Sequence, residues 1–186
     1  MLSRGKEFWR ENRVPILAAL VALAFVVLSR SGFLQGAHPS VGSPAPEFKV
    51  GRLDEGLIDL SEHLGKEVIV LDFWSTSCPP CRVALPIVDR VARDFEGEAV
   101  VAYGVSLMDS PRSVRAFLSE AGVRLPIGLD SYGDLAELYG VHGIPHTVVI
   151  GRDGTIRDVH VGVGGGYEQW LRNAVREALA APAPST

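Results

Sequence analysis

Two cysteines are the entire thiol complement of this 186-residue chain, and they stand three positions apart in Cys78-Pro79-Pro80-Cys81. A pair at that spacing passes between dithiol and disulfide with little backbone movement. It can therefore exchange two electrons with a disulfide elsewhere. The pair follows Val68–Trp74, an apolar run with the β-branched content of a buried strand. After it, Ala84, Ile87, Val88, Val91 and Phe95 recur at helical spacing. The cysteines thus fall at a helix start, where unpaired N–H groups and the positive end of the helix dipole stabilise a thiolate. Cys78 is the expected attacking sulfur. Cys81, one turn in and less exposed, is expected to resolve the mixed disulfide and release the reduced substrate. Pro79 and Pro80 have no N–H to offer the Cys78 sulfur, which predicts a less stabilised thiolate and a more reducing couple. A purely structural disulfide would stabilise little across so short a loop, and two cysteines supply only half of a zinc site.

Three further features could serve that chemistry. Asp72 interrupts the apolar run, so its carboxylate is expected under the helix start with a raised pKa, taking the proton of Cys81 through a water. An aspartate at a strand's end, solvated or capping, is the plainer alternative. Gly143-Ile144-Pro145-His146 stands directly before a strand, where a proline belongs at the first position or in a cis turn. A cis Pro145 would hold the Ile144 backbone beside Cys78 for pairing with a substrate peptide. Trp74, Ile144, Pro145 and His146 are accordingly the expected substrate-contact residues.

The elements that must position these groups alternate between strand and helix. Phe48–Val50 and Leu57–Leu60 flank Asp54-Glu55-Gly56 as a hairpin. Ala99 to Leu107 is a strand, and Ser110-Pro111 caps a helix with Val114, Phe117, Leu118 and Ala121 on its buried side. A short strand near Pro126–Leu129 and a helix from Asp134 to Tyr139 follow. Thr147–Ile150 and Thr155–Val163 are strands joined at Arg152-Asp153-Gly154. The last helix runs from Tyr167 to Ala180 on a stripe of Trp170, Leu171, Ala174, Val175 and Ala178. The fold class is α/β, a mixed sheet with helices on both faces.

Composition bounds the rest. With 47% hydrophobic and 22% charged residues the chain is globular, and a formal net charge of −4 argues against a nucleic-acid binder. The charge is unevenly placed. Residues 1–37 hold five Lys/Arg and two Asp/Glu, the remainder 13 and 20. Arg4, Lys6, Arg10 and Arg13 precede sixteen uncharged residues, Val14 to Ser29, and Ser31 to Leu34 complete a span with Arg30 snorkelling. The positive-inside bias puts residues 1–13 in the cytoplasm, a transmembrane signal anchor at 14–34, and everything after it on the periplasmic side of the inner membrane. A cleaved signal peptide is the alternative, although Arg30, Phe33, Leu34 and Gln35 interrupt the small-residue cleavage sites. Residues 35–47, rich in Gly, Pro and Ser, are the expected linker, 48–180 the domain, and 181–186 a disordered tail.

Leu71-Asp72-Phe73-Trp74, Cys78-Pro79-Pro80-Cys81-Arg82, Pro86 and Gly143-Ile144-Pro145 together resemble the thioredoxin superfamily. The extra helix and strand between Val105 and Asp130 resemble its membrane-anchored TlpA/ResA/CcmG (DsbE) branch, as do Tyr139-Gly140-Val141-His142 before Gly143 and Arg152-Asp153-Gly154-Thr155-Ile156. The resemblance implies a thioredoxin-like fold with a helix–strand insertion. It makes Cys78 and Cys81 the redox pair, Asp72 the buried acid, Pro145 the cis-proline and Pro86 the proline that kinks the active-site helix. It further implies a monomer without cofactor that reduces disulfides of exported proteins, apocytochrome c among them, and is recharged by a DsbD/CcdA-like membrane thiol donor. The chain departs from the branch at Ser77, where Trp is common, at Ala84, where a glutamate is frequent, and at His146, where Thr or Glu is usual. Asp72 is expected to stand in for the missing glutamate.

Two other functions fit the same fold. A copper-binding assembly factor of the Sco type would use the cysteines with one of His142, His146 or His160, although that pattern has three residues between its cysteines. A peroxiredoxin-like peroxidase would need a Thr three residues before its reactive cysteine, where this chain has Ser75.

Overall fold

Val68 to Trp74 are seven consecutive buried residues, and they form the middle strand β3 of a five-stranded sheet. A strand covered on both faces has no polar side to show, which is why its sequence reads as an apolar run broken only by Asp72. The computed structural model describes residues 39–182, so the expected segments 1–13 and 14–34 lie outside the described residues. Among the described residues no helix is long and apolar enough to cross a membrane.

The chain enters through an antiparallel pair, β1 (Lys49–Gly51) and β2 (Leu57–Asp59). Leu60, expected as strand, instead opens a 3-10 turn, Leu60–Glu62. The Asp59 carboxylate caps it by accepting from Ser61 N–H at 3.0 Å. After β3 come α1 (Pro79–Asp94), β4 (Val100–Leu107), α2 (Pro111–Ala121), β5 (Ile127–Asp130), α3 (Asp134–Leu138), β6 (His146–Ile150), β7 (Ile156–Val161) and α4 (Tyr167–Ala180). The sheet order is β5-β4-β3-β6-β7, parallel between β3, β4 and β5 and antiparallel between β3, β6 and β7. In α2, Ser110 caps the first turn by accepting from Ser113 N–H at 3.1 Å, and Gly122 ends the helix in the left-handed region at φ 66°.

Strand alternation divides the core in two. Val68, Val70 and Trp74 face α1, α2 and α4, packed with Cys81, Leu85, Val88, Phe117, Tyr167 and Leu171. Ile69, Leu71 and Phe73 face the hairpin β1–β2 and the short helix α3, packed with Ile58, Leu135, Tyr139 and Val148. Helices thus cover both faces unequally.

Among the described residues, part of the expected linker and the first residue of the expected tail are tied to the domain. From Gly42 the chain is laid against the β6–β7 hairpin: Gly42 N–H donates to Ile156 O and Ala45 N–H to Gly154 O, each at 2.8 Å. Tyr139 OH adds a bond to Pro46 O at 2.9 Å. At the other end the Arg152 guanidinium donates to Leu179 O and Ala181 O, at 3.0 and 2.7 Å, and ties down the end of α4. Glycine, proline and serine content marks residues 35–47 as loose, whereas tertiary hydrogen bonds hold the backbone from Gly42 to Pro46.

Gly104, which pairs with Asp72 in the β3–β4 register, is a point of close approach. A Cβ there would lie 2.6 Å from Ile127 Cδ1, 3.0 Å from Trp74 Nε1 and 3.2 Å from Leu85 Cδ1. Gly104→Ala is therefore expected to destabilise the chain by about 1–3 kcal/mol through overpacking under Trp74. Urea unfolding followed by tryptophan fluorescence measures this, and an unchanged midpoint would count against the tight fit.

Candidate active site

Cys78 is the N-cap of α1. Its Sγ accepts from Cys81 N–H at 3.2 Å, while Pro79 and Pro80 fill the first two helical positions without a donor. The prolines start the helix at no cost in backbone hydrogen bonds, because those N–H groups would have no partner within the helix. The two sulfurs are joined as a disulfide, with Cα atoms 5.3 Å apart. Cys81 is wholly buried and Cys78 is partly exposed. Of the two sulfurs only that of Cys78 is open to an incoming thiol or disulfide, as the expected attacking role requires.

The Ile144–Pro145 peptide bond is cis, and Cys78 Sγ lies 3.8 Å from the Ile144 carbonyl oxygen. Pro145 O in turn accepts from Gly162 N–H at 2.7 Å, which ties this turn to the end of β7. Pro79, Pro80 and Val83 are exposed around the disulfide, and Val161 is exposed at the edge strand.

The remaining expected site residues divide by the face of the sheet they occupy. Asp72 is fully buried on the α1/α4 side, the side that also holds Cys81. Its Oδ1 accepts from Thr147 Oγ1 at 2.8 Å, and Thr147 Oγ1 lies 2.7 Å from Tyr167 OH. Burial pushes the Asp72 carboxyl up to about 7, with the Thr147 and Tyr167 hydroxyls holding it from going higher. Trp74 is buried completely on the same side, its ring 5.2 Å from Phe117, and so offers substrate no direct surface. His146 is turned to the opposite side, its ring 6.0 Å from Phe73. Burial, and then His142, lower its pKa below the usual histidine value. His160 packs against Tyr167 and Trp170, with ring centroids 5.3 and 4.5 Å away. Among the described residues no three His, Cys, Asp or Glu side chains come together as metal ligands.

One group that the sequence did not single out holds the loop before Cys78. The Asp109 carboxylate accepts from Thr76 N–H at 2.8 Å, Thr76 Oγ1 at 2.7 Å, Ser106 Oγ at 2.8 Å and Ser75 Oγ at 3.3 Å. Met108, immediately before it, takes φ 55°, the only positive value at a non-glycine among the described residues. That turn carries the chain from the end of β4 back toward the Cys78 loop. In the sequence Asp109 is one more polar residue before the Ser110-Pro111 cap. Only the adjacency of β3 and β4 gives it Thr76 as a partner.

A helix-start disulfide with one accessible and one buried sulfur, set against a cis-proline loop on a thioredoxin-like sheet, defines a thiol–disulfide oxidoreductase. The comparisons agree. The chain belongs to the AhpC/TSA family, whose pattern matches residues 41–159. It is 30% identical over 162 residues to the thiol-disulfide oxidoreductase ResA of Halalkalibacterium halodurans, covering 87% of this chain and 90% of that one. It is 35% identical over 123 residues to the thioredoxin-like protein YneN of Bacillus subtilis, covering 65% of this chain and 71% of the relative. A crystal structure from Chlorobium tepidum, assigned as the thiol:disulfide interchange protein DsbE, superposes with a TM-score of 0.71 at 27% identity, covering 76% of this chain and 99% of that one.

Two predictions follow from the geometry. Asp109→Ala leaves Thr76 N–H and three hydroxyls without their acceptor. It is expected to cost about 1–3 kcal/mol in urea unfolding and to slow attack by Cys78 on an added disulfide. The second concerns pH. The folded Asp72 carboxyl takes its proton near 7 and an unfolded aspartate near ~3.9, so between those values the folded chain binds more protons. Stability contributed at this site is present below about pH 4 and lost as the pH rises toward 7, by roughly 4 kcal/mol as an order of magnitude. Asp72→Asn removes this dependence, so the variant gains on the parent chain between pH 4 and pH 8. Parallel urea titrations at the two pH values check it, and a constant difference would contradict it.

Proposed function

We propose that this chain is a membrane-anchored, extracytoplasmic dithiol reductant, which reduces disulfides in exported proteins through Cys78 and Cys81. The observation that carries the chemistry is burial: Cys81 is inaccessible, on the same side of the sheet as a carboxyl that titrates near neutral pH. In the reduced form, Cys78 thiolate attacks one sulfur of a substrate disulfide. A Cys78–substrate disulfide forms and the other substrate sulfur leaves as thiolate. Cys81 then gives its proton, through a water, to the Asp72 carboxylate and attacks Cys78 Sγ. The Cys78–Cys81 disulfide forms, and the second substrate sulfur leaves. The substrate gains two electrons and the pair loses two. A thiol donor in the membrane, of the DsbD/CcdA kind, returns the pair to the dithiol.

The Ile144 carbonyl beside Cys78 supports a role for this turn in holding an extended substrate peptide by its backbone. Pro145 shapes that turn, and the exposed Pro79, Pro80 and Val83 line its approach. The direction rests on Pro79 and Pro80, which leave Cys81 N–H as the helix-start donor on the Cys78 sulfur. Anchoring and periplasmic placement rest on the uncharged run from Val14 and the basic residues before it. Apocytochrome c, whose haem-attachment cysteines must be reduced, is the proposed substrate, as the resemblance to the TlpA/ResA/CcmG branch implies.

The test is the reduction potential of the Cys78–Cys81 couple in the full chain in detergent. A value well below the ~−120 mV of a strong oxidant is expected, and a value near it would reverse the direction of the reaction. Cys81→Ser is expected to retain attack and accumulate the Cys78–substrate disulfide. Cys78→Ser is expected to abolish both.

A further inference from the structure

The register of the sheet aligns four residues across four strands. Gly104 of β4 pairs with Asp72 of β3, Asp72 with Thr147 of β6, and Thr147 with His160 of β7. Paired residues point to the same side, so the row lies under α1 and α4. Tyr167, the first residue of α4, is 2% exposed and reaches down onto it.

The hydrogen bonds in this row have only one consistent direction when Asp72 is ionised. The Thr147 hydroxyl has a single proton, and it goes to Asp72 Oδ1. The 2.7 Å contact between Thr147 and Tyr167 must then be Tyr167 OH donating to Thr147. Two buried hydroxyls in series are thereby aimed at one carboxylate oxygen. The other, Oδ2, is buried with no hydrogen-bond partner.

We propose that Thr147 and Tyr167 are positioning residues for the exchange reaction, holding Asp72 by Oδ1 so that Oδ2 is the oxygen that receives the Cys81 proton. This rests on the reading of Asp72 as proton acceptor. No hydroxyl has to rotate when the proton arrives, because both are committed to the other oxygen. The chain also stabilises the ionised carboxylate, which burial alone would keep protonated well above neutral pH. Other titratable groups on this side are few. α1 brings Cys81 and Asp89, the latter held by Arg124 N–H and Arg93, each at 2.9 Å. β4 offers only Gly104, and β7 brings His160, whose ring lies against Tyr167, and Asp158, which accepts from Trp170 Nε1–H of α4 at 3.0 Å.

The experiment uses the full chain in detergent with Thr147→Val, Thr147→Ser and Tyr167→Phe. The Asp72 carboxyl is followed directly by its 13C signal against pH, with Asp72→Asn to assign it. Reduced protein is then mixed with 5,5′-dithiobis(2-nitrobenzoate). Attack by Cys78 releases one thionitrobenzoate at a rate that depends on reagent concentration. Resolution by Cys81 releases the second at a rate that does not. Thr147→Val is expected to raise the Asp72 titration by about one unit, Tyr167→Phe by less, and Thr147→Ser to restore it. The pH profile of the second release moves with it, slowing that step about fivefold at pH 7 for a one-unit shift, while the first release is unchanged. An Asp72 titration that stays in place in both Thr147→Val and Tyr167→Phe overturns the proposal. A titration that moves while the second release keeps its pH profile overturns instead the acceptor role of Asp72.

Discussion

The burial of β3 on both faces is the constraint on which the rest of the structure depends. Because every residue from Val68 to Trp74 is covered, any polar side chain in it must be satisfied inside the protein or be left costly and reactive. Asp72 is that side chain. Two hydroxyls answer one of its oxygens and nothing answers the other. The strand could bury a leucine there more cheaply, and the retained carboxyl titrates near the pH at which thiols must lose protons to react.

The same strand delivers the cysteines. Its last residue, Trp74, is locked between Gly104 and Phe117, and the loop that follows is held by the Asp109 carboxylate. The chain therefore reaches Cys78 on a fixed path. Pro79 and Pro80 then set the first turn of α1, which puts Cys81 inward and leaves Cys78 at the surface beside the Ile144 carbonyl. Exposure is divided between the two sulfurs by where one helical turn points them.

His146 shows how one residue of register assigns a role. It follows Pro145 directly, yet strand alternation turns its ring toward Phe73, on the side of the sheet away from Cys81 and Asp72. Thr147, the next residue, points at Asp72 instead. A soft-metal site built from the cysteine pair and His146 would need both on one side. The hydroxyl one position on is the group placed to act on the redox chemistry.

Much of this was legible in the residues alone. The apolar run around Asp72, the helical spacing after Cys81 and the proline before a strand are local signals, because burial, helix period and proline's fixed φ act within a few residues. They gave β3 and α4 their observed bounds and located the dithiol at a helix start. Asp109, Thr147 and Tyr167 carried no such signal. Each is an ordinary turn, strand or helix-start residue in its own neighbourhood, and its partner lies 20 to 75 positions away. Sheet order and register alone bring them to Asp72 and to the Cys78 loop. The place of the redox pair was thus written in sequence, whereas the groups that hold Asp72 and the Cys78 loop depend on strand pairing, since hydrogen bonds between distant residues exist only once the backbone has closed.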